Sequence, residues 1–78
     1  MSNLEKYTEI FTNTFGITAE ECKGLKYQAI EAWDSVGHME LIGELEDGFG
    51  IMMETDDIID LSSFETGIEL LKKYDIEF

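Results

Sequence analysis

Several features are scarce in this sequence. It has no arginine and no proline, and its only cysteine is Cys22. A single cysteine excludes an internal disulfide framework, and we interpret Cys22 as a half-buried thiol near a helix end. No apolar run approaches the roughly 20 residues that a membrane-spanning helix needs. The N-terminal segment also lacks the basic start and apolar centre of a signal peptide, which predicts a cytoplasmic protein.

Positive charge is scarce as well. Five lysines stand against 18 acidic residues, and the net charge is −13. Between Lys26 and Lys72 there are 12 acidic residues and no lysine or arginine, so His38 is the only possible cation there. Such a surface repels nucleic acids and anionic membranes, and it attracts basic protein surfaces. A simpler interpretation is that the acids serve solubility.

The chain has 78 residues, a length that predicts one small domain over residues 1–78. A domain of this size buries roughly 60% of the surface that its unfolded chain exposes. Little room is left for an enclosed active site beside the core. We therefore expect a binding or carrier module that works as a monomer, and not an enzyme.

Apolar residues recur at three- and four-residue steps in three segments, which predicts three sizeable helices. The first covers residues 3–15, the second begins at Asp34 or Ser35 and ends near Gly48, and the last covers 62–74. A connection of 17 residues follows the first helix. We interpret its apolar residues as packing contacts that hold this loop against the helices. They are Leu25, Tyr27, Ile30 and Trp33.

Capping signals complete the predicted fold. Thr18 and Glu21 have the spacing of a capping box around a short turn, and so do Ser62 and Glu65 at the last helix. A short helix is predicted over 55–61, with Thr55 as its N-cap. The sequence thus predicts an all-α protein, a small four-helix bundle with three longer helices, one short helix and a long first loop.

The second helix carries three groups of side chains. Its inner apolar stripe consists of Leu41, Ile42, Leu45 and Phe49. A second face, beside Ser35 and rotated from the stripe, consists of Val36, Met39 and Gly43. Acidic residues lie largely away from the stripe, and they are Glu40, Glu44, Glu46 and Asp47. The stripe is therefore expected to face the core.

Three polar residues, Asp34, Ser35 and His38, cluster at the start of this helix. A Ser-His-Asp hydrolase is one interpretation, because His38 follows Ser35 by three residues. A triad also needs an oxyanion hole and a pocket, which neighbouring positions on a short exposed segment do not supply. Helix capping is the ordinary role of Asp34 or Ser35, and it requires only one of them.

No motif predicts a specific metal site. The segment ELEDGFGIMMETDD lacks the first two alternating ligands of a calcium-binding loop. Divalent ions are expected to associate loosely with neighbouring carboxylates such as Glu54, Asp56 and Asp57. Like-charge crowding, concentrated from Glu40 to Asp60, is expected to raise the pKa of carboxyl groups.

The segment DSVGHMELIGELEDGFGI resembles the signature of the acyl carrier protein family. That signature has Asp-Ser, an aliphatic residue, and then an acidic helix ending in Glu/Asp-x-Phe-Gly-Ile. The first helix, the long loop, the short helix with TDDI and the last helix also match this family. The resemblance therefore covers essentially the whole chain, and it implies an acyl carrier fold.

The resemblance implies that the Ser35 hydroxyl is esterified with 4′-phosphopantetheine from coenzyme A. Acyl groups then travel as thioesters on the thiol of this arm. Asp34 is implied to assist the modifying phosphopantetheinyl transferase, whose chemistry depends on magnesium. The other implied partners are an acyl-loading ligase or acyltransferase and acyl-using enzymes with basic surfaces. Partner contacts are implied for Val36, Met39 and Gly43 as an apolar patch and for Glu40, Glu44, Glu46 and Asp47 as steering charges.

The sequence departs from the common family motif. Val36 replaces the usual leucine, and Gly37 and Gly43 lower helix propensity and leave flat spots for a partner or an acyl chain. Trp33 and GHM resemble stand-alone carriers of specialised pathways, so the cargo is open between fatty acyl, hydroxyacyl, aminoacyl and polyketide groups. A D-alanyl or peptidyl carrier uses the same serine. An unmodified acidic interaction module explains the charge but not the Asp-Ser pair.

Overall fold

The computed structural model describes residues 2–78. Its helices are α1 (Asn3–Phe15), α2 (Ala19–Cys22), α3 (Ser35–Phe49), α4 (Thr55–Asp60) and α5 (Phe64–Lys72). Across this part of the chain, the only extended pairing is an isolated antiparallel bridge between Lys26 and Ser63. The prediction of an all-α chain is confirmed. None of the described helices has the length and apolar character needed to cross a membrane.

The four predicted helices correspond to α1, α3, α4 and α5, but the predicted count of four misses α2. This single turn lies inside the long first connection. The Thr18 hydroxyl accepts a hydrogen bond from the Glu21 N–H at 3.2 Å, and the Glu21 carboxylate accepts one from the Thr18 N–H at 3.0 Å. Because both bonds satisfy N–H groups at its start, the predicted turn closes as a short helix.

The ends of helix α1 are fixed by local capping interactions, a capping box at its start and a glycine at its end. The Ser2 hydroxyl accepts from the Glu5 N–H at 3.1 Å, and the Glu5 carboxylate accepts from the Ser2 N–H at 3.1 Å. The bond from the Ser2 N–H, followed by the interaction with the Ser2 hydroxyl, lowers the pKa of the Glu5 carboxyl. At the other end, Gly16 has a φ of 66°, a left-handed conformation that favours glycine.

Helix α4 begins at Thr55, within the predicted range of 55–61, and ends one residue before the end of that range, but its N-cap differs from the prediction. A buried carboxylate anchors this helix. Its N-cap is Glu54 rather than Thr55, and the Glu54 N–H donates to the Tyr74 hydroxyl at 2.9 Å. The Asp57 carboxylate accepts from Lys73 Nζ at 2.7 Å and from the Tyr74 hydroxyl at 2.6 Å. These bonds, Lys73 first, hold the pKa of Asp57 below its ordinary value. The predicted rise of the pKa is therefore wrong at Asp57.

The N-cap of α5 also differs from the prediction by one residue. Ser63, not Ser62, caps this helix, and its hydroxyl accepts from the Thr66 N–H at 3.0 Å. Glu65 does not complete a capping box. Its carboxylate accepts from the Gly24 N–H at 3.1 Å and so fastens the first connection to α5.

Aromatic rings fill much of the core. Trp33 is fully buried and stacks on Phe15, with ring centroids 5.4 Å apart. Phe11 lies edge-on to both Trp33 and Phe64, at 5.5 and 5.0 Å. Cys22 is fully buried rather than half-buried as predicted, and burial raises the pKa of its thiol. It is therefore not a reactive surface thiol.

The irregular connection between α2 and α3 is attached to the residues around the start of α5. The Tyr27 N–H donates to the Ser62 carbonyl at 2.8 Å, and the Phe64 N–H donates to the Leu25 carbonyl at 2.9 Å. Leu25 and Trp33 are buried, as expected for residues that pack this loop against the helices, whereas Tyr27 stays partly exposed. This attachment holds Trp33 just ahead of α3.

Candidate functional site

The first turn of α3 separates two polar residues by role. Asp34 is the N-cap, and its Oδ1 accepts a hydrogen bond from the Gly37 N–H at 2.8 Å. Ser35 is the first residue of the helix and is exposed. Within residues 2–78 its hydroxyl forms no hydrogen bond. Because Asp34 alone caps the helix, the Ser35 hydroxyl remains free to react.

The two glycines of this helix that sequence reasoning treated alike have different surroundings. Gly37 is buried, and a Cβ there would collide with the Ala32 carbonyl. Gly37 is therefore a close backbone contact, and its predicted role as a flat surface spot is wrong. At Gly43 a Cβ would meet nothing within 4 Å, so this position is open.

His38 uses both ring nitrogens in hydrogen bonds. Trp33 Nε1 lies 2.9 Å from His38 Nδ1, and His38 Nε2 lies 2.7 Å from the Ile58 carbonyl oxygen. An indole N–H only donates and a carbonyl only accepts, so the neutral imidazole carries its proton on Nε2. We call these two hydrogen bonds the His38 bridge. Because Nδ1 is occupied by Trp33 and Nε2 by Ile58, His38 has no free nitrogen to act as a base toward Ser35.

A largely apolar groove opens beside Ser35. It has a volume of about 370 Å³. Its lining residues are Tyr27, Ser35, His38, Met39, Ile58, Ile59, Leu61 and Ser62. Two of its apolar side chains are largely exposed, Met39 at 57% and Ile59 at 70%, and Val36, next to Ser35 in the chain, is 67% exposed. We call this feature the Ser35 groove. Its residues come from the first connection, from α3 and from the α4 region.

A second and larger groove, lined mostly by polar and charged residues, runs between α1 and α3, with a volume of about 740 Å³. We call it the acidic groove. Its residues from α3 are Glu40, Gly43, Glu44, Asp47 and Gly48, and α1 contributes Lys6, Glu9, Ile10, Asn13 and Thr14. Three predicted steering acids thus lie together, and Gly43 accompanies them rather than Met39.

Glu46, the fourth predicted steering acid, is engaged elsewhere. It is half-buried, and its carboxylate accepts a hydrogen bond from the Met53 N–H at 2.9 Å. This bond holds the segment after α3, which argues against Glu46 as a free surface charge. Among residues 2–78, no cluster of acidic, histidine or cysteine side chains has the arrangement of a metal site.

Sequence reasoning missed two parts of this site. It did not pair His38 with Trp33 and Ile58, and it did not bring Tyr27 and Ile59 to the side of Ser35. The only sequence signal for the contact between Trp33 and His38 was their spacing of five residues across the start of α3. The contacts with Ile58 and Ile59 depend on how α4 packs, which no local pattern reports.

Comparisons of this chain with protein-family models, with curated proteins and with solved structures find no match. A function is therefore inferred from the sequence and from the geometry around Ser35.

Proposed function

We propose that this protein is an acyl carrier protein whose Ser35 hydroxyl carries a 4′-phosphopantetheine arm. The observation that carries the proposal is the division of roles at α3. Asp34 satisfies the helix start through Gly37, and an exposed serine hydroxyl without an internal partner follows it. A serine retained only for capping would not need the aspartate before it.

The residues around Ser35 suit a phosphate ester. The N–H groups of Ser35 and Val36 lie ahead of the first intrahelical donor, the His38 N–H. Unsatisfied N–H groups and the helix dipole favour an anion at such a position. The Ser35 groove offers an apolar surface next to the attachment point. The predicted assistance of Asp34 in the modification stays a prediction beside its capping role.

The chain itself needs no catalytic residue in this proposal. The arm's thiol, when present, supplies the group that holds acyl chains as thioesters. The transferase supplies the base and the magnesium ion. The contribution of this chain is to hold the Ser35 hydroxyl outside the core on a rigid 15-residue helix. That agrees with His38 being fully engaged in hydrogen bonds.

Exposed acids on α3 provide a surface for basic partners. Glu40, Glu44 and Asp47 line one groove, and only Lys6 offsets them there. The proposed partners are a phosphopantetheinyl transferase, an acyl-loading ligase or acyltransferase, and enzymes that use the acyl group. Fatty acyl, polyketide, D-alanyl and peptidyl cargo all use the same serine, so the proposal holds for each. An unmodified acidic interaction module accounts for the charge alone.

Covalent loading tests the proposal. The purified chain is incubated with coenzyme A, Mg²⁺ and a broad-specificity phosphopantetheinyl transferase. Its intact mass is expected to increase by one phosphopantetheine group. An unchanged mass, while a reference carrier is converted in parallel, would favour the unmodified interaction module.

A further inference from the structure

The His38 bridge joins three parts of the chain through one imidazole ring. Trp33 belongs to the connection before α3, His38 to the first turns of α3, and Ile58 to α4. The Trp33 and His38 rings lie nearly parallel, with centroids 6.2 Å apart and planes 16° apart. Trp33 is fully buried, so the bridge provides its indole N–H with an acceptor inside the protein.

The same three parts supply the walls of the Ser35 groove. Tyr27 comes from the connection, Met39 from α3, and Ile59 from α4. His38 also lines the groove, and its ring lies edge-on to that of Tyr27 at 5.5 Å. A change at His38 therefore acts on each wall of this groove.

We propose that His38 is a proton-sensitive positioning residue for the Ser35 groove. The neutral imidazole holds the connection, α3 and α4 together. Its protonation breaks the link to Trp33 while the Nε2–H bond to Ile58 remains, so the connection moves away from α3 and the groove opens on that side. In the protonated ring both nitrogens are donors. The Nδ1–H then faces the indole N–H of Trp33 at the 2.9 Å separation of the closed state. Two donors cannot share a hydrogen bond, so a buried indole N–H loses its acceptor.

Histidine is the side chain that ordinarily changes charge between about pH 5 and 8. Three ionisable groups are placed nearest to the His38 bridge by contact or by sequence. Tyr27 on the connection is in ring contact with His38, Asp34 is the N-cap of α3, and Asp57 is next to Ile58 on α4. The other ionisable groups of these elements are Lys23, Lys26 and Glu31 on the connection, Glu40, Glu44, Glu46 and Asp47 on α3, and Asp56 and Asp60 on α4. Asp34 is engaged by the Gly37 N–H, and Asp57 by Lys73 and Tyr74. Neither carboxylate is free to replace the acceptor that Trp33 loses, because each already accepts hydrogen bonds from other groups.

The regulatory meaning of this opening rests on the proposed function. An acyl group on a Ser35-linked arm would be held in the closed groove at neutral pH and released from it on acidification. The coupling of His38 to the groove walls does not depend on modification. It is therefore tested on the unmodified chain, so a failed loading experiment and a failed His38 experiment are separate results.

The chain has one tryptophan and one histidine, so their NMR signals need no assignment by mutation. At neutral pH we expect the nitrogen shifts of the Nε2–H tautomer and an indole proton protected from solvent exchange. As the imidazole is protonated, indole exchange is expected to rise about tenfold, the equivalent of one hydrogen bond. The methyl signals of Met39, Ile58 and Ile59 are expected to shift with the same midpoint. An Nδ1–H tautomer, or an imidazole titration that leaves indole exchange unchanged, would overturn the proposal.

Two variants complete the experiment. His38→Gln keeps an acceptor for Trp33 and a donor for Ile58 but does not titrate, so the pH response of the indole is expected to disappear. Glu31→Gln is the control, because it removes an exposed charge near Trp33 and should keep the response. A response that persists in His38→Gln contradicts the proposal. Where His38→Gln does not fold, the wild-type titration decides.

Discussion

Two adjacent polar residues at the start of α3 differ in what they contact. Asp34 bonds the helix backbone through Gly37, while the Ser35 side chain bonds nothing within residues 2–78 and faces solvent. The sequence pattern left open which of the two caps the helix. The structure assigns the cap to Asp34 through an extended backbone with φ of −103° and ψ of −168°. Ser35 is therefore free of a stabilising role.

Alanine substitutions separate these roles. Asp34→Ala is expected to lower the free energy of unfolding by about 0.5–2 kcal/mol, because the Gly37 N–H loses its acceptor. Ser35→Ala is expected to change it by less than about 0.5 kcal/mol, as for other exposed sites without such contacts. Urea unfolding measures both values. Equal losses in the two variants would show that Ser35 also contributes to the cap.

At the scale of helices, α3 presents one face to the core, one to the Ser35 groove and one to the acidic groove. Two of its glycines, at 37 and 43, lie in opposite environments, the first against the Ala32 carbonyl and the second open. Helix propensity alone treats them alike. Packing is what distinguishes them.

Alanine substitutions at Gly37 and Gly43 are expected to change the free energy of unfolding in opposite directions. Gly37→Ala is expected to destabilise the protein by about 1–3 kcal/mol, because its Cβ meets backbone that has to move. Gly43→Ala is expected to stabilise it by up to about 1 kcal/mol, since alanine favours an exposed helix position. Chemical unfolding midpoints of the two variants decide. Changes of the same sign would contradict the described packing.

The hydrogen bonds of Asp57 with Lys73 and Tyr74, which we call the Asp57 cluster, link α4 to the residues that follow α5. Their effect on stability depends on pH. The folded-state pKa of Asp57 is lowered by Lys73 and then Tyr74. The cluster therefore contributes stability above the unfolded-state pKa of about 4 and loses it as pH falls through the folded value. Asp57→Asn is expected to lower the melting temperature at pH 7, and its difference from wild type should shrink below pH 4.

Asp56→Asn is the matched control, because Asp56 is exposed on the same turn. It is expected to leave the melting temperature nearly unchanged. If the difference in melting temperature between Asp57→Asn and wild type were the same at pH 7 and pH 3, the lost hydrogen bonds would not depend on the ionisation of Asp57.

Helix positions were predictable from sequence because apolar spacing reports which face meets the core. The exact caps of α4 and α5 were not. Ser62 and Ser63 are chemically equal candidates, and only the bridge from Lys26 to Ser63 and the contact of Glu65 with Gly24 select the second serine. The place of Ser35 in the first turn of α3 was predictable from local capping signals, whereas the groove beside it depends on tertiary packing.

At the scale of the whole molecule, charge is unevenly placed. The net charge of −13 includes three exposed acids along α3, and the lysines at 23 and 72 are paired with acids on their own helical turns. Exposed pairs of that kind contribute little to stability. Under the proposed function, the exposed acids of α3 serve encounters with basic partners.

Neutralising the α3 acids tests this explanation. A variant with Glu40→Gln, Glu44→Gln and Asp47→Asn is expected to associate more slowly with the transferase, by about tenfold or more at low salt. The difference should shrink at high salt, where exposed charges are screened. Stopped-flow association rates measure it. The control changes Glu20, Glu69 and Glu77 to glutamine, which removes equal charge from other elements, and rates that fall equally there would argue against α3 as the docking surface.

The central claim is that Ser35 is the one attachment site of a phosphopantetheine arm. Ser2 offers a matched control, since it is also an exposed serine at the start of a helix. After incubation with coenzyme A and the transferase, intact mass spectrometry is expected to show one added arm on wild type and on Ser2→Ala, and none on a folded Ser35→Ala. An added arm on Ser35→Ala, or an unmodified wild type beside a converted reference carrier, would contradict the account.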